Sequence, residues 1–154
     1  MNRSSKPNLP EAHEGVHLWL IMLKAFQAMN THAEASLEGC GLGQSDFRVL
    51  EVLLHKGALP VNTIGPRVHL TSGSISIAVD RLYAKGLVSR TENAEDRRVR
   101  TVELTAAGRA LINRVFAQHA SVMETVAQGL SLNERVQLVE LLKKLGKYAE
   151  ALPI

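Results

Sequence analysis

The sequence predicts a mainly α-helical protein with one small β-hairpin past its middle, and three observations carry that prediction. Apolar residues recur at helical spacing through most of the chain. Aromatic residues make up only 4%, so Leu, Val, Ile and Ala must build the core. Two strand-like runs, "LVSRTE" at 87–92 and "RTVELT" at 100–105, flank a densely charged loop. At 154 residues, 45% hydrophobic and 21% charged, the chain suits one soluble domain. No apolar run reaches the ~18 residues of a membrane span, and the first residues show no apolar signal segment. The single cysteine, Cys40, excludes an internal disulfide, so the cytosol is the expected compartment.

Residues 1–13, polar and holding Pro7 and Pro10, are expected to be a flexible N-terminal arm, with 14–154 a single domain. A first helix runs from Glu14 to about Leu37, its apolar face drifting through Val16, Trp19, Leu23, Phe26 and Met29. The glycines of "EGCGLG", 38–43, end it. "SDFRVLEVLLHKG" follows, with cap chemistry at Ser45-Asp46, a stripe of Phe47, Leu50, Leu53 and Leu54, and Gly57 as its stop. Residues 61–68 form a short helix that Pro66 should kink or shorten, since proline lacks the backbone donor.

Leu70-Thr71-Ser72 then caps a helix to about Lys85, closed by Gly86. After the two strands Thr105 caps a helix from Ala106 to about Leu130, with a stripe through Leu111, Val115, His119, Val122 and Val126. Ser131 with Glu134 three residues on is a capping box that opens a last helix to about Leu152. Two helices joined by a tight turn and followed by a hairpin make a winged helix-turn-helix. That lobe spans 45–105, and helices at 14–38 and 106–152 flank it.

Charge points to a partner. Seven cations against four acids lie between Arg67 and Arg100, which equals the +3 of the whole chain. Basic character focused on one region suits an anionic partner, although an ordinary solvated loop has the same composition. On a helical wheel centred on Ile75, Ala78, Val79 and Leu82 share the buried side, while Gly73, Ile77 and Asp80 face outward. Ser74, Ser76 and Arg81 occupy the shoulders. A helix with a small, polar outer face can lie against base edges in the major groove, and its first amides at Ser72–Ser74 suit a phosphate. Small polar residues at a helix start are equally common as plain capping. Ile77 stands out, free either to rest on a thymine methyl or to pack against the protein. At the hairpin tip, Arg97, Arg98 and Arg100 suit a minor groove, with Asp96 pairing one arginine to hold the tip in shape.

The uninterrupted stretch "DRLYAKGLVSRTENAEDRRVRTVELTAAGR" resembles the signature of the MarR family of bacterial transcriptional regulators, and the resemblance extends from about Val16 to Leu145. It implies an obligate homodimer with intertwined terminal helices and one winged lobe per subunit. It places Asp96 and Arg98 at the D-x-R positions of the wing, and Ser74 and Ser76 at recognition-helix positions that touch DNA. Thr71, Ser72, Ile77, Arg81, Arg97 and Arg100 complete the expected DNA-binding set. Two departures are plain: Ile77 stands where the family often has arginine, and Gly65-Pro66 interrupts the positioning helix. A small aromatic or phenolic effector is also implied, with His17, Trp19 and Phe26 placed to line its pocket. The expected function is a ligand-responsive repressor that binds a palindromic operator as a homodimer.

The residues support a dimer independently. Leu132, Val136, Val139, Leu142 and Leu145, widened by Leu138, Leu141 and Tyr148, cover more of the last helix than the ~100° stripe a single packing surface needs. One compact monomeric core is the alternative. No phosphate loop, HExxH or nucleophile elbow is present, so an enzyme is not expected. His13 and His17 have metal-holding spacing without a third ligand, and no cofactor is expected. Cys40, at the far end of the first helix with no cation beside it, is expected to be an inert thiol.

Overall fold

A computed structural model describes residues 13–92 and 100–153 of the chain. Among them the order is α1 (Glu14–Ala35), α2 (Gln44–Lys56), β1 (Leu59–Pro60), α3 (Val61–Arg67), α4 (Ser72–Ala84), β2 (Val88–Glu92), β3 (Arg100–Leu104), α5 (Ala106–Ala127) and α6 (Leu132–Glu150). The mainly helical fold with a small hairpin is as the sequence predicts.

The helix ends show how local chemistry sets them. Thr71 Oγ1 accepts from the Ser74 amide at α4, and Thr105 Oγ1 accepts from the Gly108 amide at α5. Ser131 and Glu134 form the full reciprocal capping box at α6. At α2 the expected cap is replaced. Gly43 is the cap residue, without a side-chain bond, because Asp46 lies inside the helix and turns inward to another partner. Pro66 sits in the last turn of α3, which is only seven residues long, so the shortening that it foretold is present. The helices α1, α5 and α6 each end two or three residues before the sequence pattern suggested.

The sheet holds one strand more than expected. Leu59 and Pro60 pair antiparallel with Val102 and Thr101, giving the order β1-β3-β2. A two-residue strand carries no periodicity, and Pro60 is tolerated because an edge strand has a side that needs no donor. The hairpin itself runs in register from Val88↔Leu104 to Glu92↔Arg100.

One core lies beneath these elements. Leu50 and Leu53 of α2, Ile64 of α3, Leu82 of α4, Val102 of β3 and Ile112 of α5 are fully enclosed, joined by Phe47, Ile75, Val79 and Val88. The inward face of α5 is Ile112 and Val115, with Leu111 and Phe116 half-buried against the core, so it is shifted slightly from the expected stripe.

The entry to α5 explains the "LTAAG" run. Thr105 donates its hydroxyl to the Gly86 carbonyl at 2.7 Å, and its amide donates to the Leu87 carbonyl at 3.1 Å. This brings α5 so close to the hairpin base that a Cβ on Gly108 would lie 1.9 Å from the Leu87 oxygen. Only glycine fits there. The helices α1 and α6 are the opposite case: neither buries a single residue.

Candidate nucleic-acid interface

Two contacts fix α4 in place. Against α3 the approach is tight: a Cβ on Gly65 would meet the Leu70 carbonyl at 3.1 Å and Ile75 Cγ2 at 3.4 Å, while the Leu70 amide donates to the Gly65 carbonyl at 2.9 Å. The turn between these helices places His69 at φ 55°, a left-handed conformation unusual for a residue with a side chain. Against α2 the contact is ionic. Asp46, 1% exposed, accepts from Arg81 Nε at 2.9 and 3.0 Å and from its terminal nitrogen at 2.5 Å, and Lys85 Nζ lies 3.8 Å away. The same arginine also donates to Ser45 Oγ at 3.1 Å. Hydrogen bonding to Asp46 holds the Arg81 guanidinium protonated above its ordinary range, against the opposing effect of desolvation.

Arg81, expected at a groove or phosphate, thus also braces α4 against α2, with its side chain still 41% exposed. It is anchored across 35 residues of sequence, because the buried carboxylate demands a cation and Arg81 is the one the helix geometry delivers. The inner face of α4 is as the helical wheel predicts: Ile75, Ala78, Val79 and Leu82 are all buried. Its outer face bears Ser72, Gly73, Ser74, Ser76, Ile77 and Asp80, all exposed. Thr71 is spent on capping, and its hydroxyl donates to Ser74 Oγ at 2.9 Å. Ser76 donates to the Ser72 carbonyl at 2.9 Å.

The hairpin is tied to α4 by a residue that no motif singles out. Arg90, on β2, pairs with Asp80 and stacks its guanidinium 4.7 Å from the centre of the Tyr83 ring. Its Nε is buried without a partner among the described residues. The signal for it was indirect: Asp80 and Tyr83, three apart on α4, form a ledge at which a strand-borne cation can dock. Arg100, exposed, opens β3 opposite Glu92. Asp96, Arg97 and Arg98 lie outside the described residues. Between α3, α4 and the two hairpin strands runs a cleft of about 540 Å³, with Pro66, Leu70, Ser72, Ser76, Arg90 and Arg100 among its walls.

The suggested effector residues lie elsewhere. Trp19 and Phe26, each 61% exposed, sit two turns apart on α1 with His17, and none of the three lines the cleft. His119 is a structural residue: Ser36 Oγ lies 2.8 Å from its Nδ1, and its ring is 4.8 Å from that of Phe47, joining α1, α5 and α2. Cys40 is half-buried against the core, its thiol donating to the Leu37 carbonyl at 2.8 Å. Among the described residues no group of three His, Cys, Asp or Glu side chains could hold a metal, and no helix is long and apolar enough to cross a membrane.

Comparison with known proteins agrees with this geometry. The profile of the MarR family matches residues 42–99, a span that takes in α2, α3, α4 and β2. The HTH-type transcriptional regulator MhqR of Bacillus subtilis (strain 168) is 34% identical over 137 residues, 89% of this chain and 94% of that protein. The HTH-type transcriptional repressor MdtR of the same organism is 30% identical over 125 residues, 81% of each. Among solved structures, BpsR of Bordetella bronchiseptica, described in terms of regulation of its DNA binding by 6-hydroxynicotinic acid, matches with a TM-score of 0.77 at 25% identity, over 84% of this chain and 98% of that one. A mutant MarR of E. coli complexed with operator DNA shares the fold, with a TM-score of 0.77 at 22% identity over 89% of this chain and 99% of that one.

Proposed function

The chain belongs to the MarR family of helix-turn-helix transcriptional regulators, DNA-binding proteins of a non-enzymatic class, and from that premise we propose a ligand-responsive repressor that binds a palindromic operator as a homodimer. The observation that carries the reading is α4: four buried apolar residues hold it from behind, while the first half of its front presents only glycine, serines and one isoleucine. A helix so held can enter a major groove without a bulky side chain in the way.

In this reading the lobe at 45–105 reads DNA, and the helices at 14–38 and 106–152 join two chains. Ser72, Ser74, Ser76 and Ile77 face base edges, with Thr71 ordering the start of the helix. Arg100 and the tip residues Arg97 and Arg98 serve the minor groove, Asp96 orienting the tip. Arg81 contributes by bracing α4 through Asp46. The dimer draws support from the apolar residues left exposed on α1 and α6, and it sets two recognition helices roughly 34 Å apart on one face of the duplex. MdtR is itself a repressor, which favours repression here. BpsR responds to a small hydroxylated aromatic acid, which favours an effector of that kind. Such a ligand acts by stabilising a lobe spacing that no longer fits the operator. In this reading the protein works in the cytoplasm, beside the DNA it binds.

The test is selection from a random duplex pool, followed by fluorescence anisotropy at several salt concentrations. The expected result is a palindrome bound with an affinity that falls steeply as salt rises. Absence of binding at low salt, before and after refolding from denaturant, overturns the reading. Arg98→Ala is expected to weaken binding while the fold and the oligomeric state stay unchanged.

A further inference from the structure

We propose that Ile77 reads DNA sequence by packing on the 5-methyl group of thymine, making an apolar contact the specificity element of α4. The inference rests on the DNA-binding reading above and deepens it.

The two isoleucines of α4 have opposite fates. Ile75 is 2% exposed and belongs to the core, whereas Ile77 is 62% exposed on the opposite side of the helix. The structure removes the alternative that Ile77 packs against its own chain. An exposed β-branched residue gains neither burial nor helix propensity, so the fold itself has no use for it at this position.

The charges near it are already engaged. Arg81 is bound to Asp46, Lys85 Nζ donates to the Gly41 carbonyl at 2.9 Å, and Asp80 holds Arg90. Base contacts from this face therefore fall to hydroxyls and to Ile77. Their polarity is partly set. Ser76 spends its hydrogen on the Ser72 carbonyl, which leaves it an acceptor. Ser74 accepts from Thr71, which leaves its own hydrogen to give. In the major groove the only apolar feature is the thymine methyl, and the partner adenine offers an amino hydrogen. An A·T pair thus matches Ile77 beside an accepting Ser76. Ser74, one turn earlier, is matched by any base acceptor such as a purine N7.

The test replaces each thymine of the selected operator in turn by deoxyuridine, which deletes the methyl group and leaves every hydrogen-bonding group in place. Anisotropy at one salt concentration compares the wild-type chain with Ile77→Ala. Because Ile77 is exposed, the variant is expected to keep its thermal unfolding profile. At one symmetry-related thymine position, uracil should weaken the wild type by about fourfold per half-site, the effect of removing one buried methyl, and leave Ile77→Ala unaffected. Equal losses in both proteins, no loss at any thymine, or an operator without thymine in its half-sites each overturn the inference while the DNA-binding reading stands. If the wild type binds no duplex at all, both fall together.

Discussion

Leu50 and Leu141 are both leucines on the apolar faces of helices, yet Leu50 is fully buried and Leu141 is 64% exposed. The contrast extends to the regions around them. From α2 to the middle of α5, apolar side chains from four helices and a sheet close on one another. On α1 and α6, Trp19, Phe26, Leu132, Val136 and Tyr148 remain more than half exposed. The difference teaches that amphipathicity shows a helix has something to cover without saying where the cover comes from. The lobe finds its cover within one chain. The terminal helices present half of a core, and in the proposed dimer the second copy supplies the rest.

Substitutions can break or sharpen that contrast, beginning with the most damaging. Leu50→Ala should cost the lobe about 3 kcal/mol or more in urea unfolding, the usual effect of emptying a fully packed site. Gly108→Ala should cost at least as much, since the Leu87 backbone must move from 1.9 Å; retention of full stability would show that the α5–hairpin junction is looser than it looks. Arg81→Met should cost about 3 kcal/mol by leaving Asp46 buried without its main partner, with Lys85 at 3.8 Å keeping the loss to the low end. By contrast, Leu141→Glu should leave the core of the lobe intact and shift the chain toward monomer in sedimentation equilibrium. A dimer as strong as the wild type would show that α6 is not its interface. His69→Val should cost about 1–2 kcal/mol, because a β-branched residue resists the left-handed turn.

The smallest effect is at the start of α6. Glu134, hydrogen-bonded by the Ser131 hydroxyl and amide, has its carboxyl held below the ordinary range. A depressed carboxylate stabilises the fold above its unfolded value, about 4.3, and loses that contribution as pH falls through the lower folded value. The stability gap between wild type and Glu134→Gln should therefore be constant at neutral pH and close only in that acid window.

What was legible in the chain follows from distance along it. The caps at Thr71, Thr105 and Ser131 bond to amides three residues away, so residue types at fixed spacing suffice to reveal them. The buried side of α4 was legible for the same reason: a periodicity of 3.6 is a local property. The candidate site was legible in outline, with Ser72, Ser74, Ser76 and Ile77 all on the exposed side. The bracing role of Arg81 was not legible because Asp46 is 35 positions earlier and resembled a helix cap. Arg90 was overlooked because its partners, Asp80 and Tyr83, lie across a turn on another element.

The sequence by itself determined the order of the six helices and the two hairpin strands, the caps of α4, α5 and α6, and which side of α4 is apolar, since these depend on neighbours within a turn or two. Only the tertiary structure decided which apolar faces are covered and which charges are spent. Ion pairing and burial depend on what folding brings together, and a chain shows that only when closed on itself. That is why Ile75 and Ile77, two residues apart and chemically identical, have opposite roles.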